Sequence, residues 1–489
     1  MLDLNIAAPI DRAIPEAFEV LRASGLLEDN RHHVLALILL KYVTDTGIEE
    51  QEASHRWSSG FRVPQGASFN SLYELRGQRQ NGERINEALR RIERENEQLK
   101  DVFIAADFSS PRLGGENQRD GILAGLLEAI KIIPFASAAN EEHAALVGSY
   151  VYDSFVRHQE QSMGRRSGEN STPQEISNLL VELMDPSEWD TVSDPCCGLA
   201  QTLMACDDHS RKNRGNGCQL FGQEVAATVW VLARMGMILG GKNWYQLEWG
   251  NTLRDPKFLD DPGQLRRFDV VISHPPFSMK DWGQEDCQYD PYGRYSRGVP
   301  PKASADFAFI SHMVSTLKQG TGRMAVLVSH GVLFRGGAER QIRERLIEDN
   351  FVDAIISLPP RMLINTGIET AILILRADRK ESDGIMFIDA GQNYNAGRAR
   401  CTLGKNNFDR ILSVFKSREE CAGYSRVVTR SEVASSEYSL SIARYIKVLE
   451  EETSFNLDEL RRQRVYLQHE LMKLERRRQE LLDEIARVE

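Results

Sequence analysis

Cysteine is scarce in this chain. Seven occur in 489 residues, with no CxxC pair and no Cys/His ligand spacing. That usage disfavours both a disulfide framework and a zinc site, so no metal is expected. Adjacent Cys196 and Cys197 cannot easily staple anything, and a reducing cytoplasm is the expected compartment. Long hydrophobic runs are also missing. The longest, Val34 to Leu40, falls far short of a bilayer span, so no membrane association is expected. The opening residues MLDLNIAAPIDRAIPEAF bring acid early and lack the apolar stretch of a secretory leader. Positive charge is not in excess either. The formal net charge of −11 means that the chain alone is no electrostatic glove for DNA. If it acts on DNA, a partner or a local basic patch must supply most of the backbone affinity.

What is present is enough to fold. With 41% hydrophobic residues over 489 positions, the chain can bury real cores and is long enough for two or three domains. Residues 1–145 read as a helical domain. His33 to Tyr42 (HVLALILLKY) has the composition of a helix interior, residues 83–100 form a charged amphipathic helix, and no strand pattern stands out. From about Tyr150 the pattern alternates. A helix follows Thr172-Pro173, where proline suits a first turn. Strands are predicted at 191–193, 219–222, 268–272, 324–328, 352–357 and 370–375. Helices fall between them at 226–239, 305–317 and 338–347. Residues 146–450 therefore predict an α/β domain: a wound, mostly parallel sheet with helices on both faces. Ligands in such sheets bind at the carboxyl ends of the strands.

The last segment, 451–489, differs again. Leu457, Leu460, Arg464, Leu467, Leu471, Leu474, Arg478, Leu481, Ile485 and Val488 recur at alternating steps of three and four, an a/d seam. Such a seam serves either packing against the chain's own body or a coiled coil with another chain. The sustained repeat favours the coiled coil, and the two seam arginines suit a specific acidic partner or register.

Chemistry-bearing residues collect at strand ends. Ser193-Asp194-Pro195-Cys196-Cys197-Gly198-Leu199-Ala200 joins a strand to a helix, where a glycine turn lets a ligand approach the backbone. Glu224 ends the next strand, where an acid accepts hydrogen bonds from ribose hydroxyls; taken alone it reads as a surface or capping carboxylate. Gly250-Asn251-Thr252 comes next. Finally Phe268-Asp-Val-Val-Ile-Ser-His274-Pro275-Pro276-Phe277 runs an apolar strand into a turn with two prolines and an aromatic.

This succession resembles the modification (M) subunits of type I restriction–modification systems, which are adenine DNA methyltransferases. The likeness extends to Phe221-Gly222-Gln223-Glu224, to Gly331-Val332-Leu333-Phe334-Arg335-Gly336-Gly337, and to Leu358-Pro359-Pro360 with Thr366-Gly367-Ile368, over roughly residues 20–450. The resemblance implies a Rossmann-like domain and S-adenosylmethionine as cofactor, held around Thr172, Pro173, Asp194, Cys196, Gly198, Glu224 and Asn251. It implies methyl transfer to the 6-amino group of a flipped-out adenine at His274, Pro275, Pro276 and Phe277. It implies a specificity subunit bound through the C-terminal coiled coil, double-stranded DNA in the complex, and room for a second M-type subunit and a restriction/translocase subunit.

The chain departs from the family pattern at the expected site. Family members have an aromatic pair where Asn170-Ser171 stands, Ser-Gly where Leu199-Ala200 stands, Asp where Asn251 stands, and Asn where His274 stands. The expectations are bulk at Leu199 and Ala200 near the cofactor, weakened or lost cofactor binding, and an Asn251 that still accepts from the cofactor's adenine amine. At His274, a neutral imidazole offers one acceptor nitrogen, aimed differently from an amide. Two readings stand open: a catalytically impaired chain with a structural or regulatory role, or an active adenine methyltransferase subunit working with a specificity subunit. A third, methylation of an amine on protein or RNA, fits the long helical domain and the Leu358-Pro359-Pro360 block less well. Reverting His274 alone is expected to fail because the cofactor side is altered too, and only reversion of Asn170, Ser171, Leu199, Ala200, Asn251 and His274 together is expected to give measurable methyl transfer.

Overall fold

The computed structural model describes residues 3–49, 58–162, 172–261, 263–363, 366–392, 394–397, 400–447 and 457–485. They fall into two units, Met1–Ile446 and Lys447–Glu489.

Six helices open the first unit: α1 (Leu4–Ala23), α2 (Leu27–Thr46), α3 (Phe69–Glu74), α4 (Asn81–Glu95), α5 (Glu116–Lys131) and α6 (Glu141–Ser162). In α1, Ile10, Ala13, Ile14, Ala17, Phe18 and Leu21 recur at helical spacing and are all buried. The apolar run Val34–Leu40 is the interior of α2, and none of its side chains is exposed. Between α2 and α3, β1 (Ile48–Glu49) and β2 (Arg62–Val63) form a short parallel pair. The absence of strands expected in this region is thus corrected; two residues carry no periodic signal.

The sheet region runs α7 (Gln174–Met184), β3 (Thr191–Asp194), α8 (Gln201–Arg214), β4 (Gln219–Glu224), α9 (Ala227–Leu239), β5 (Tyr245–Trp249), the small hairpin β6 (Leu259–Asp261) and β7 (Gln264–Leu265), then β8 (Val270–Ser273) and α10 (Asp306–Ser315). It continues with β9 (Arg323–Ser329), α11 (Ala338–Glu348), β10 (Val352–Ser357), β11 (Thr370–Arg376), β12 (Ile385–Asp389), α12 (Lys405–Ser417), β13 (Ser425–Val428) and α13 (Arg430–Ser435). Nine strands pair in the order β13-β12-β10-β11-β9-β8-β3-β4-β5. The run from β9 to β5 is parallel throughout, whereas β11 lies antiparallel to both β9 and β10, and β13 is antiparallel to β12. Strands β5 and β13 and the small hairpin escape the sequence pattern because they are short and lack a continuous apolar run, whereas β12 carries one, Ile385-Met386-Phe387-Ile388, that the sequence reading passed over.

Central strands are buried on both faces, which is why they read as unbroken apolar stretches. Val270 and Ile272 of β8 join the core cluster that also contains the N-terminal helices, while Val271 joins the cluster under α10 and α11. The N-terminal helices are therefore packed onto the sheet rather than tethered to it. Close approach of α6 to α9 depends on two glycines. A Cβ at Gly148 would lie 1.9 Å from the Leu239 carbonyl oxygen, and one at Gly236 would lie 2.3 Å from the Tyr152 ring.

In the second unit, α14 (Leu457–Ile485) is one continuous helix, and Leu467, Leu471 and Leu474 of its seam are exposed. Seam residue Val488 lies outside the described residues.

Gly148→Ala is expected to force α6 from α9, because backbone cannot yield as a flexible side chain would. We expect a loss of roughly 1–3 kcal/mol or more, read as a lowered urea midpoint. An unchanged midpoint would refute the close approach.

Candidate active site

Strand order reverses between β3 and β8. From β3 the chain winds outward through β4 and β5, and β8 starts the opposite direction. A crevice at the carboxyl ends of these two strands is where a wound sheet binds its ligand. A cavity of ≈ 260 Å³ occupies that place. The turn after β3 contributes Asp194, Cys196 and Gly198 to its wall. Glu224 comes from the end of β4, Asn251 from the turn after β5, His274 and Pro276 from the turn after β8, and Thr172 from the start of α7. Residues spread over a hundred positions are thus gathered around one cavity. Pro173 sits just outside, buried at the N-cap of α7, where its carbonyl accepts from the Ile176 and Ser177 amides. Pro275 is buried, and Phe277 is half-buried beside the His274 ring, 5.1 Å between centroids and tilted by 48°.

Asp194 is the innermost group. Ser273 donates its hydroxyl to Oδ1 at 2.6 Å, and the Cys196 amide donates to the same oxygen at 3.0 Å. Burial pushes the Asp194 carboxyl up to about 7; the two donors oppose that shift and the nearby Glu224 charge adds to it. Glu224 receives the Gly198 amide at Oε2 (3.1 Å) and the Ala226 amide at Oε1 (2.8 Å). Burial raises its pKa, and those amides hold it back. Each Glu224 oxygen keeps a further lone pair for a ligand hydroxyl.

His274 is pushed down to about 4 by burial, so its ring is neutral at physiological pH. Its Nδ1 lies 3.0 Å from the Thr172 hydroxyl. If the hydroxyl donates, Nε2 carries the proton; if it accepts, Nε2 is a free acceptor. The Pro-Pro turn is held from outside the cavity. The Ser278 amide donates to Asp306 Oδ1 at 3.0 Å, and Arg335 pairs with the other Asp306 oxygen at 3.0 Å.

Two expectations are corrected. Leu199 and Ala200 do not crowd the cavity: both side chains are buried in the core, and neither lines the cavity wall. The backbone turns left-handed at Ala200, with φ +59°, at a cost of roughly 1–2 kcal/mol for a residue other than glycine. Tyr152 donates its hydroxyl to the Leu199 carbonyl at 2.9 Å, fixing the turn from the N-terminal side. Asn251, in turn, is not free to accept. Its Oδ1 already takes the Leu253 and Arg254 amides at 3.0 and 3.1 Å. Asn170 and Ser171 lie outside the described residues.

Sequence reasoning missed Ser273, Asp290 and Arg294, and gave Thr252 no role of its own. Ser273 is the last residue of β8, and only its contact across the switch point reveals its role. Arg294 belongs to a polar loop without periodicity. It is buried with Asp290, and its guanidinium donates to the carbonyls of Thr252 and Leu253. Among the described residues no cluster of His, Cys, Asp and Glu is arranged to hold a metal, and no helix is long and apolar enough to cross a membrane.

The sequence matches the family model described as N-6 DNA Methylase over residues 144–454 and the HsdM N-terminal domain over residues 10–130. It is 30% identical over 333 residues to the type I restriction enzyme MjaVII methylase subunit of Methanocaldococcus jannaschii, covering 65% of this chain and 55% of that relative. With the HindI methylase subunit of Haemophilus influenzae it shares 26% identity over 425 residues, covering 82% of this chain and 90% of the relative. Among solved structures, the methyltransferase subunit of a type I restriction-modification system from Streptococcus thermophilus superposes with a TM-score of 0.78 at 26% identity, covering 90% of this chain and all of that one. A modification subunit of a putative type I restriction enzyme from Vibrio vulnificus, at 19% identity and a TM-score of 0.58 over 88% of this chain and 94% of that one, shares the fold.

The Asp194 carboxyl has a pH signature of its own. Its folded pKa, about 7, lies above the ordinary value of 3.8. Between those values the folded protein keeps a proton that the unfolded chain has released. Stability is therefore greatest at the acid end of that window and falls as pH rises towards 7, by up to ~1.4 kcal/mol per unit. Asp194→Asn is expected to flatten this slope. Urea midpoints of both proteins at several pH values across the window check it, and parallel curves would contradict it.

Proposed function

Because the chain belongs to the N-6 DNA methylase family, we propose that it is the modification-type subunit of a type I restriction–modification assembly, that its cavity takes S-adenosylmethionine, and that its own methyl transfer to the adenine 6-amino group is impaired at His274. The observation that carries the last point is His274 itself, a neutral ring held by Thr172 where an amide would stand.

The residues present suit the cofactor. Glu224 offers lone pairs to ribose hydroxyls, the turn at 196–198 brings backbone close, and Leu199 and Ala200 leave the space open. Binding is therefore part of the proposal, in place of the weakening expected from the sequence. When bound, the cofactor supplies an electrophilic methyl group. The chain's own task is to make the amine of adenine nucleophilic. That lone pair is delocalised into the ring, and acceptors on the amine protons draw it back. The Pro275 carbonyl is one acceptor, and the side chain at 274 should be the second. Phe277 offers an aromatic face to an extruded base. An imidazole at 274 is bulkier than an amide, and its acceptor depends on the tautomer that Thr172 selects. A misplaced acceptor costs rate even where binding survives.

The second reading is a fully active subunit. It is favoured by one feature: should Thr172 accept from Nδ1, Nε2 has no other protein partner among the described residues and can accept from the amine.

His274→Asn tests both. In the complex assembled with its specificity subunit and free of any second methyltransferase, the variant should raise tritium transfer from labelled cofactor by about 30- to 1000-fold, equivalent to roughly 2–4 kcal/mol of barrier. Because Leu199 and Ala200 stand clear of the cavity, those two residues need no reversion alongside it. Robust adenine methylation by the unmodified complex would establish the active reading instead.

We further propose that the seam of α14 binds the specificity subunit. At net charge −11 the chain relies on that partner for duplex DNA. A second M-type subunit and a restriction/translocase subunit complete the proposed assembly, working in the cytoplasm. Deleting residues 455–489 should leave the first unit folded by circular dichroism yet abolish co-purification with the specificity subunit. Full assembly of the truncated chain would refute the role of the seam.

A further inference from the structure

The two sides of the cavity offer a ligand opposite hydrogen-bonding chemistry. At the ends of β3 and β4 stand the carboxyl groups of Asp194 and Glu224, and Glu224 presents acceptor oxygens. Beyond β5 stands Asn251. Its amide orientation is dictated by the backbone. The Leu253 and Arg254 amides converge on Oδ1 at 3.0 and 3.1 Å, which uses both lone pairs of that oxygen. Turning the amide over would set an NH2 group against two N–H donors.

The turn itself cannot shift to relieve this. The Thr252 hydroxyl donates to the Pro195 carbonyl at 2.6 Å, and buried Arg294, paired with Asp290, grips the carbonyls of Thr252 and Leu253 at 3.2 and 2.8 Å. Asn251 Nδ2 is left without a protein partner among the described residues, and Asn251 lines the cavity. The neighbouring Gln223 amide is drawn the other way, into the loop after β5. Gln223 donates from Nε2 to the Asp255 carbonyl at 2.8 Å and accepts the Lys257 amide at Oε1, 3.1 Å.

We infer that Asn251 makes the base end of this cavity a hydrogen-bond donor, so that the site does not prefer a 6-amino purine over a 6-oxo purine. The inference rests on the proposal that the cavity takes S-adenosylmethionine, with ribose at Glu224 and the base beyond β5. The 6-amino group of adenine is itself a donor, and two donors facing each other must be parted or bridged by water. A 6-oxo group accepts directly. An aspartate at 251 would reverse this, because one carboxylate oxygen would serve the Leu253 and Arg254 amides while the other accepted from the base.

The test is calorimetric and needs no turnover. S-adenosyl-L-homocysteine and S-inosyl-L-homocysteine are titrated into the full-length chain and into Asn251→Asp, whose carboxylate still caps the turn. A thermal melt of the variant checks its fold. For the unmodified chain, the inosyl ligand should bind at least as tightly as the adenosyl one. In the variant the ratio should move towards adenosyl by about tenfold, the value of one hydrogen bond. A tenfold or greater adenosyl preference in the unmodified chain would overturn the inference while leaving cofactor binding intact. An unchanged ratio in the variant would overturn it as well, by removing Asn251 as the discriminator. If neither nucleoside binds the unmodified chain, the inference falls together with the cofactor part of the proposed function.

Discussion

The hydrogen bond from Ser273 to Asp194 joins the two strands from which the sheet departs in opposite directions. A buried carboxylate left without donors is costly, and Asp194 has two on one oxygen. The bond therefore does more than align β3 with β8. It fixes where each strand ends, and so where the turn at 195–200 and the turn at 274–277 begin. From there the constraint spreads by further single bonds: Gly198 to Glu224, and Thr252 to the Pro195 carbonyl. The cavity wall is a chain of such links, each joining the end of one strand to that of another.

The N-terminal helices belong to this same scheme. Tyr152 of α6 reaches the Leu199 carbonyl, and Gly148 and Gly236 let α6 and α9 close to contact. A helical layer that merely covered the sheet would not need a buried hydroxyl aimed at the turn after β3. Here the helices hold one side of the cavity's floor. On the opposite side Asp306 and Arg335 hold the Pro-Pro turn from α10 and the loop after β9. The turns are thereby preorganised whatever the residue at 274 does, which is the condition under which a single side chain there can decide the chemistry.

Much of this was legible in the sequence, for definite reasons. Strands β8, β9 and β10 are buried on both faces, so their apolar runs stand out, and Thr172, Asp194, Glu224, Asn251 and His274 could be placed at the mouths of neighbouring elements. Short edge strands such as β5 and β13 could not be found, since a few residues with polar positions among them mimic loop composition. Side-chain direction was also hidden. Leu199 and Ala200 sit in the turn that lines the cavity, yet the left-handed backbone at Ala200 goes with side chains packed into the core. Sequence position alone made them obstacles. Likewise the choice between the two ends of the Asn251 amide belongs to two backbone N–H groups that no local pattern specifies.

The departures from the family pattern therefore differ in physical kind. At Leu199 and Ala200 the change is absorbed by packing, at the price of one strained residue. At Asn251 the geometry of the turn is retained and only the outward-facing chemistry changes, from an acceptor to a donor. At His274, under the proposed function, the group that would meet the amine is a ring whose acceptor depends on Thr172. These three changes lie along a gradient from fold to ligand to reaction, and the surrounding support is intact at each step. A site that had lost all demand would be expected to loosen first in its buried polar bonds, which are costly to keep and easily lost. Here those bonds, from Ser273–Asp194 to Arg294–Asp290, are complete. Such a pattern fits a cavity that still has a ligand to hold.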